Sequence, residues 1–186
     1  MPSPDAKIIA VIGAGRVGRA LARRAVLAGF RVVIEDLIPT SLQCARQEIR
    51  QTLNDAVASG ALSQSQADEA FSRIECATSI EDAARRAHIV METGPDEAES
   101  KLEMFCLLDR ICLPHTVIVS NCHALDLSDT AANAESIVGM YFSGDKAEIH
   151  CSAFTSEQAL AVAIKLAERM ASSYSVTREK QAAAKV

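Results

Sequence analysis

Lys7-Ile8-Ile9-Ala10-Val11-Ile12-Gly13-Ala14-Gly15-Arg16-Val17-Gly18 is the stretch from which the rest of the chain can be read. Its first half is an apolar run of strand length, and its second half is rich in glycine. Beyond it the period changes. Leu21, Ala25 and Ala28 recur at the three- and four-residue steps of a helix face, with Arg19, Arg23 and Arg24 on the remaining surface. Gly29 stands where a C-cap would end that helix, and residues 30–35 form a second apolar run. Strand, helix and strand in close succession make a βαβ unit, whose crossover forces the two strands parallel.

Gly13-Ala14-Gly15-Arg16-Val17-Gly18 reads G-x-G-x-x-G, a weak pattern on its own. Here it follows a strand, opens a helix and is followed by Asp36 at the end of the second strand, which is the setting of a dinucleotide site. Gly13 permits the tight turn, Gly15 lets the backbone approach a pyrophosphate, and Gly18 lets the helix pack close. The helix N-terminus offers N–H groups and a positive dipole end to the phosphates. Asp36 can accept hydrogen bonds from both hydroxyls of the adenosine ribose and would repel a 2′-phosphate, so the expected cofactor is NAD(H). Arg16 and Arg19 are the cations that would suit a phosphate instead.

Helical patterning continues after Pro39 to residue 57 and breaks at Ser59-Gly60. Ser63-Gln64-Ser65-Gln66 has the spacing of a capping box and opens a shorter helix. Strand-like runs follow at 73–76, 88–92, 116–121 and 137–142, separated by helical segments at 80–86, 96–112 and near 126–132. A last helix spans about 155–171, before a short strand at 174–177. The alternation predicts an α/β class, doubly wound, with a mainly parallel sheet and helices on both faces. Residues 1–178 are expected to form one dinucleotide-binding domain, and 179–186 a frayed tail. Leu102, Phe105 and Leu108 are expected to be a core stripe.

Lys and Arg total 19 against 24 Asp and Glu, a formal net charge of −5. That balance argues against nucleic acid and membrane surfaces, which call for a basic face. No apolar run approaches the roughly 20 residues of a membrane-spanning helix. The N-terminus lacks the basic start and apolar stretch of a signal peptide, so a cytoplasmic protein is expected. Cysteines 44, 76, 106, 112, 122 and 151 form no C-x-x-C pair and are expected to be reduced, most of them as small buried hydrophobes.

From residue 8 to about 177 the chain resembles the NAD-binding, N-terminal domain of the 3-hydroxyacyl-CoA dehydrogenases. The resemblance is carried by Val11 to Gly18, Gly60-Ala61-Leu62-Ser63, Arg73-Ile74, Met91-Glu92-Thr93-Gly94-Pro95, Ser120-Asn121 and Gly139-Met140-Tyr141-Phe142. It implies a Rossmann-type domain with a helical hairpin inserted at about 41–72, near bound coenzyme A. It also implies oxidation of a 3-hydroxyacyl thioester by hydride transfer to NAD, and with it a place in fatty acid metabolism. By the same resemblance Glu92 lies near the nicotinamide end, Lys101 contacts the cofactor, Asn121 is the active-site asparagine, and Glu148 is the glutamate that orients the catalytic histidine.

The chain departs from the family where the chemistry is done. Tyr141 stands where the family's segment H-F-F-N-P begins with the catalytic histidine, and the loop after it is shorter. His123 replaces the serine that touches the substrate oxygen. The chain also stops where the family's all-helical C-terminal domain begins, a domain that closes the cleft and forms much of the dimer interface. Self-association as a homodimer, or completion by a separate partner chain, is therefore expected. Tyrosine, with an ordinary pKa near 10, needs a cationic neighbour to act as a base, and Lys146 or Lys101 are candidates. His123 and His150 are alternatives. If residues 147–151 form a strand, Glu148 and His150 share one face. The pairs Cys122-His123 and His150-Cys151 would not converge on a metal, since adjacent strand residues face opposite sides. His88 and His115 sit at strand entrances and read as structural or solvated. Arg46, Arg50 and Arg73 at the hairpin borders either meet coenzyme A phosphates or are solvated surface, and the latter is favoured. Two functions follow: an NAD-dependent oxidoreductase acting on a small or acyl-thioester hydroxy substrate, or a non-catalytic NAD(H)-binding sensor, regulatory subunit or split-enzyme half.

Overall fold

The computed structural model describes residues 7–95, 97–121 and 134–179. It divides into two compact units, Met1–Thr93 with Ile111–Pro114, and Gly94–Arg110 with His115–Val186.

The first unit opens β1 (Ile8–Ile12), α1 (Arg16–Leu27), β2 (Arg31–Glu35), the βαβ unit expected from the opening stretch. Then come α2 (Pro39–Ala58), α3 (Gln64–Ser72), β3 (Ile74–Ala77), α4 (Ile80–Ala84) and β4 (Ile89–Glu92). The strands lie in the order β3-β2-β1-β4, all parallel. From β1 the chain steps one way across the sheet to β2 and β3, then returns past β1 to β4. Right-handed crossovers in opposite directions put α1 and α4 on opposite faces, which is the Rossmann-type winding. The α/β class is as expected. On α1 the buried residues are Gly18, Leu21, Ala22, Ala25 and Val26, with Ala28 as the C-cap. Ser63 accepts from the Gln66 N–H and Gln66 accepts from the Ser63 N–H, so the capping box forms.

The arginines at the borders of the α2–α3 hairpin are not simply solvated. Arg46 and Arg50 lie over the Phe71 ring, 4.9 and 4.7 Å from its centroid. Arg50 also bridges Asp68 at 2.9 Å, and Arg46 donates to the Ile74 carbonyl. Arg73 donates to the Val26 carbonyl and to Glu69. These cations hold α2 to α3, α2 to β3 and α3 to α1, with stacking worth about 0.5–1 kcal/mol each at such sites.

In the second unit α5 (Ala98–Ile111) is followed by β5 (Val117–Ser120), β6 (Ile137–Ser143), β7 (Lys146–Cys151), α6 (Glu157–Met170) and β8 (Ser173–Arg178). The strands lie in the order β5-β6-β7-β8. β6 and β7 are antiparallel and the other two pairs parallel. Ser143 pairs with Lys146, leaving a two-residue loop, Gly144-Asp145. Gly144 has φ +57° and no non-glycine residue among those described has positive φ, which is the type II′ pattern with glycine first. Along β7 burial alternates, with Ala147, Ile149 and Cys151 inside and Lys146, Glu148 and His150 on the other side.

Two expectations change. The buried face of α5 is Lys101, Phe105 and Leu108, while Leu102 is 40% exposed. Phe105 and Leu108 keep their expected places, and Lys101 takes the place of Leu102: its Nζ donates to the Gly94 carbonyl while its stem is covered. Of the five described cysteines only Cys151 is buried, and Cys44, Cys76 and Cys106 are exposed. The helix expected near 126–132 lies outside the described residues. No helix among those described is long and apolar enough to cross a membrane.

Candidate dinucleotide site

At the C-terminal end of β1 the chain turns sharply because Gly13 has φ +100°, a conformation that a side chain would strain. Its N–H donates to the Glu35 carbonyl at 2.9 Å, anchoring the turn on β2. A Cβ at Gly13 would lie 2.7 Å from Thr93 Oγ1. That hydroxyl donates to the Ile12 carbonyl at 2.7 Å, so Thr93 backs the turn from the end of β4. A Cβ at Gly18 would meet the Gly13 carbonyl oxygen at 1.8 Å, so the first turn of α1 closes directly onto the loop.

Gly15 is different. It is the N-cap of α1, has ordinary extended backbone, and its Cβ would meet nothing within 4 Å. The requirement for glycine here is not internal, and the open space in front of it fits a phosphate drawn to the N–H groups and dipole of α1. No acidic residue lies in the first turn to oppose that charge, and Arg16 and Val17 follow. Asp36 Oδ2 accepts from the Ala14 N–H at 3.0 Å and Oδ1 from the Ile38 N–H at 2.9 Å. A carboxylate oxygen has two lone pairs, so each can still accept a ribose hydroxyl. The residues present therefore fit a dinucleotide with free 2′ and 3′ hydroxyls.

Residues 8–180 match the family described as 3-hydroxyacyl-CoA dehydrogenase, NAD binding domain. The chain belongs to that family. Its cofactor is NAD, as expected from Asp36. It is 30% identical over 174 residues to a probable 3-hydroxybutyryl-CoA dehydrogenase of Bacillus subtilis (strain 168), covering 89% of this chain and 60% of that protein. Over 139 residues it is 30% identical to a 3-hydroxybutyryl-CoA dehydrogenase of Bradyrhizobium diazoefficiens, covering 73% of this chain and 47% of the relative. The crystal structure of 3-hydroxybutyryl-CoA dehydrogenase from Escherichia coli K12 has the same fold, with a TM-score of 0.87 at 23% identity. That match covers 94% of this chain and 38% of the other. The chain thus spans 60% or less of the length of these relatives.

The remaining expected residues divide between the units. Glu92, at the end of β4, is 1% exposed, and Lys101 is 2% exposed on α5. Asn121 follows β5 and is half-buried, while His123 lies outside the described residues. In the β6–β7 hairpin Tyr141 pairs with Glu148 and Gly139 with His150. Paired residues face the same side, so Tyr141, Glu148 and His150 share a half-exposed face, with Glu148 Oε2 3.8 Å from His150 Nε2. Cys151 points the other way and is buried. His88 is structural, its Nδ1 accepting the Ile8 N–H at 3.2 Å.

Two residues of the first unit were not singled out in the sequence. Thr93 stood within the resemblance without a role. Glu35 ends β2 only 3% exposed, and burial, followed by the neighbouring Asp36 charge, pushes its carboxyl up to about 7. The side-by-side acids at 35 and 36 were the available signal.

Proposed function

We propose that this chain serves an NAD-dependent oxidoreductase that passes hydride between a 3-hydroxyacyl thioester, an acyl-CoA, and NAD. The observation that carries it is the Gly13–Gly18 turn, closed internally at Gly13 and Gly18 and open at Gly15. Gly13, Gly15, Arg16, Val17 and Gly18 hold the pyrophosphate and Asp36 the ribose. Glu92 and Lys101 are assigned to the cofactor by the resemblance. NAD, when bound, supplies the hydride acceptor. Tyr141 takes the hydroxyl proton in place of histidine. Lys146 shares its face as the cationic neighbour, and Glu148 orients the group that does the acid–base work. Asn121 and His123 position the substrate oxygen. Residues 1–178 act as one dinucleotide-binding domain with the hairpin at about 41–72 inserted, and 179–186 as its tail.

The test is calorimetric titration of NAD, NADH and NADP, followed by turnover of a 3-hydroxyacyl-CoA in the same sample. NAD binding with turnover is expected. Binding without turnover would favour the other reading, a non-catalytic NAD(H)-binding protein, which the tyrosine at position 141 supports. Asp36→Ala is expected to weaken NAD about 10- to 100-fold, the loss of one to two hydrogen bonds to a charged group, and to relax discrimination against NADP. Equal affinities of the unaltered protein for NAD and NADP would contradict the role given to Asp36.

We also infer a cytoplasmic setting, supported by exposed unpaired thiols at Cys44, Cys76 and Cys106. Homodimer formation is supported by exposed Tyr174 and Val176 on β8, an edge strand. Light scattering at micromolar concentration should give twice the chain mass, and a clean monomer would rule the dimer out.

A further inference from the structure

Glu35 is a buried carboxylate with no work in the scheme above. In the last row of the first unit, Glu92 of β4, Ile12 of β1, Glu35 of β2 and Ala77 of β3 stand in register. Residues in register across parallel strands face one side, so Glu35 and Glu92 line the same face, about 10 Å apart with Ile12 between. Glu35 Oε1 is buried and takes no hydrogen bond among the described residues. Its peptide is tied to the phosphate-binding turn, the carbonyl accepting the Gly13 N–H while Asp36 takes the Ala14 N–H.

The charges around it do not neutralise it. Asp36 follows it directly, and its own strand contributes Arg31, which pairs with Glu75 of β3. Glu75 is held as well by Arg86, which follows α4. α4 contributes Asp82 and Glu81, the latter paired with Arg85. β1 contributes only Ile12, and β4 contributes Glu92. From α1 come Arg16 and Arg19, the latter bridged to Glu48 of α2 at 3.1 Å. An ionised Glu35 therefore sits desolvated beside another carboxylate, and its proton is poised at neutral pH.

Resting on the assignment of NAD to this turn, we propose that Glu35 couples cofactor binding to a proton: the dianionic pyrophosphate at the loop favours the neutral carboxylic acid, so NAD binding takes up a proton at Glu35. Linkage sets the sign. Affinity is highest where Glu35 is already protonated and falls as pH rises through neutrality, by about three- to tenfold between pH 6 and 8.5 if the bound form holds its proton up to one unit longer.

NAD titrations at pH 7 in two buffers of different ionisation enthalpy read the proton directly. A fractional proton taken up per NAD is expected in the unaltered protein. In Glu35→Gln the uptake should vanish and affinity become flat with pH. Infrared difference spectra of the unaltered protein, NAD-bound minus free, provide a check that needs no variant. A gain in protonated carboxyl supports Glu35, whereas a change confined to imidazole overturns it. NAD heat with no proton exchange, or exchange that persists in Glu35→Gln, overturns the coupling alone. Absence of NAD heat at every pH overturns the cofactor assignment and the coupling with it.

Discussion

Gly18→Ala is expected to lower stability by at least about 2 kcal/mol and NAD affinity by about 100-fold or more. The added Cβ would lie 1.8 Å from the Gly13 carbonyl oxygen and 3.0 Å from its carbon, so backbone has to move. Gly13 has nowhere easy to go. It is pinned to Glu35 by a 2.9 Å hydrogen bond, and Thr93 stands behind it. Alanine gains about 1 kcal/mol over glycine in a helix, which offsets part of a strain of about 3 kcal/mol for overpacking against a fixed neighbour. Any relief moves α1 away from the turn and spreads the N–H groups that face the phosphates. Gly15→Ala is the informative partner. Its Cβ meets no protein atom and its backbone suits alanine, so the variant should unfold like the unaltered chain while still losing NAD affinity. Urea unfolding and NAD calorimetry on both variants separate the two roles. Full NAD affinity in Gly15→Ala would mean that the cofactor does not approach there.

The second large effect is on stability and requires no cofactor. The Glu35 carboxyl has an ordinary pKa of 4.5 and about 7 in the folded chain. Between those values the folded state keeps a proton that the unfolded state has shed, so stability falls as pH rises from 4.5 to 7 and the loss is complete above 7. At about 1.4 kcal/mol per pH unit the full displacement is worth about 3 kcal/mol. Glu35→Gln carries no such proton. Relative to the unaltered protein it should gain about 2–3 kcal/mol on going from pH 5 to pH 8, read from urea midpoints at the two pH values. Parallel loss of stability in both proteins would place the pH dependence elsewhere.

Much of this molecule was legible in its sequence because the signals were local. The β1–α1–β2 unit, the capping box at Ser63 and Gln66, and most strand and helix positions follow from periodicity and turn chemistry within a few residues. The purposes of Gly13 and Gly18 were legible too, one in the tight turn and the other in the close packing of α1, because a strand-to-helix turn leaves its requirements in the sequence that builds it. Strand β7 was legible only as a condition on residues 147–151, although Gly144-Asp145 precedes an alternating run. Its outward residues are Lys146, Glu148 and His150, and the chain reads as strand only once the hairpin supplies a partner.

Tertiary structure decided the rest, and in each case a residue's environment came from chain far away in sequence. That Lys101 and not Leu102 joins Phe105 and Leu108 on the buried side of α5 was set by what the helix packs upon. Arg46 and Arg50 on α2 found Phe71 on α3, which turned apparent surface charges into the clamp of a hairpin. The burial of Glu35 depends on β1 and β3 flanking β2, and hence on sheet order. Composition and spacing determined that the chain would wind strands and helices around a dinucleotide turn. Only packing determined which of two adjacent acids would remain in water's reach and which would be left with a proton to trade, because desolvation is a property of the surroundings and not of the residue.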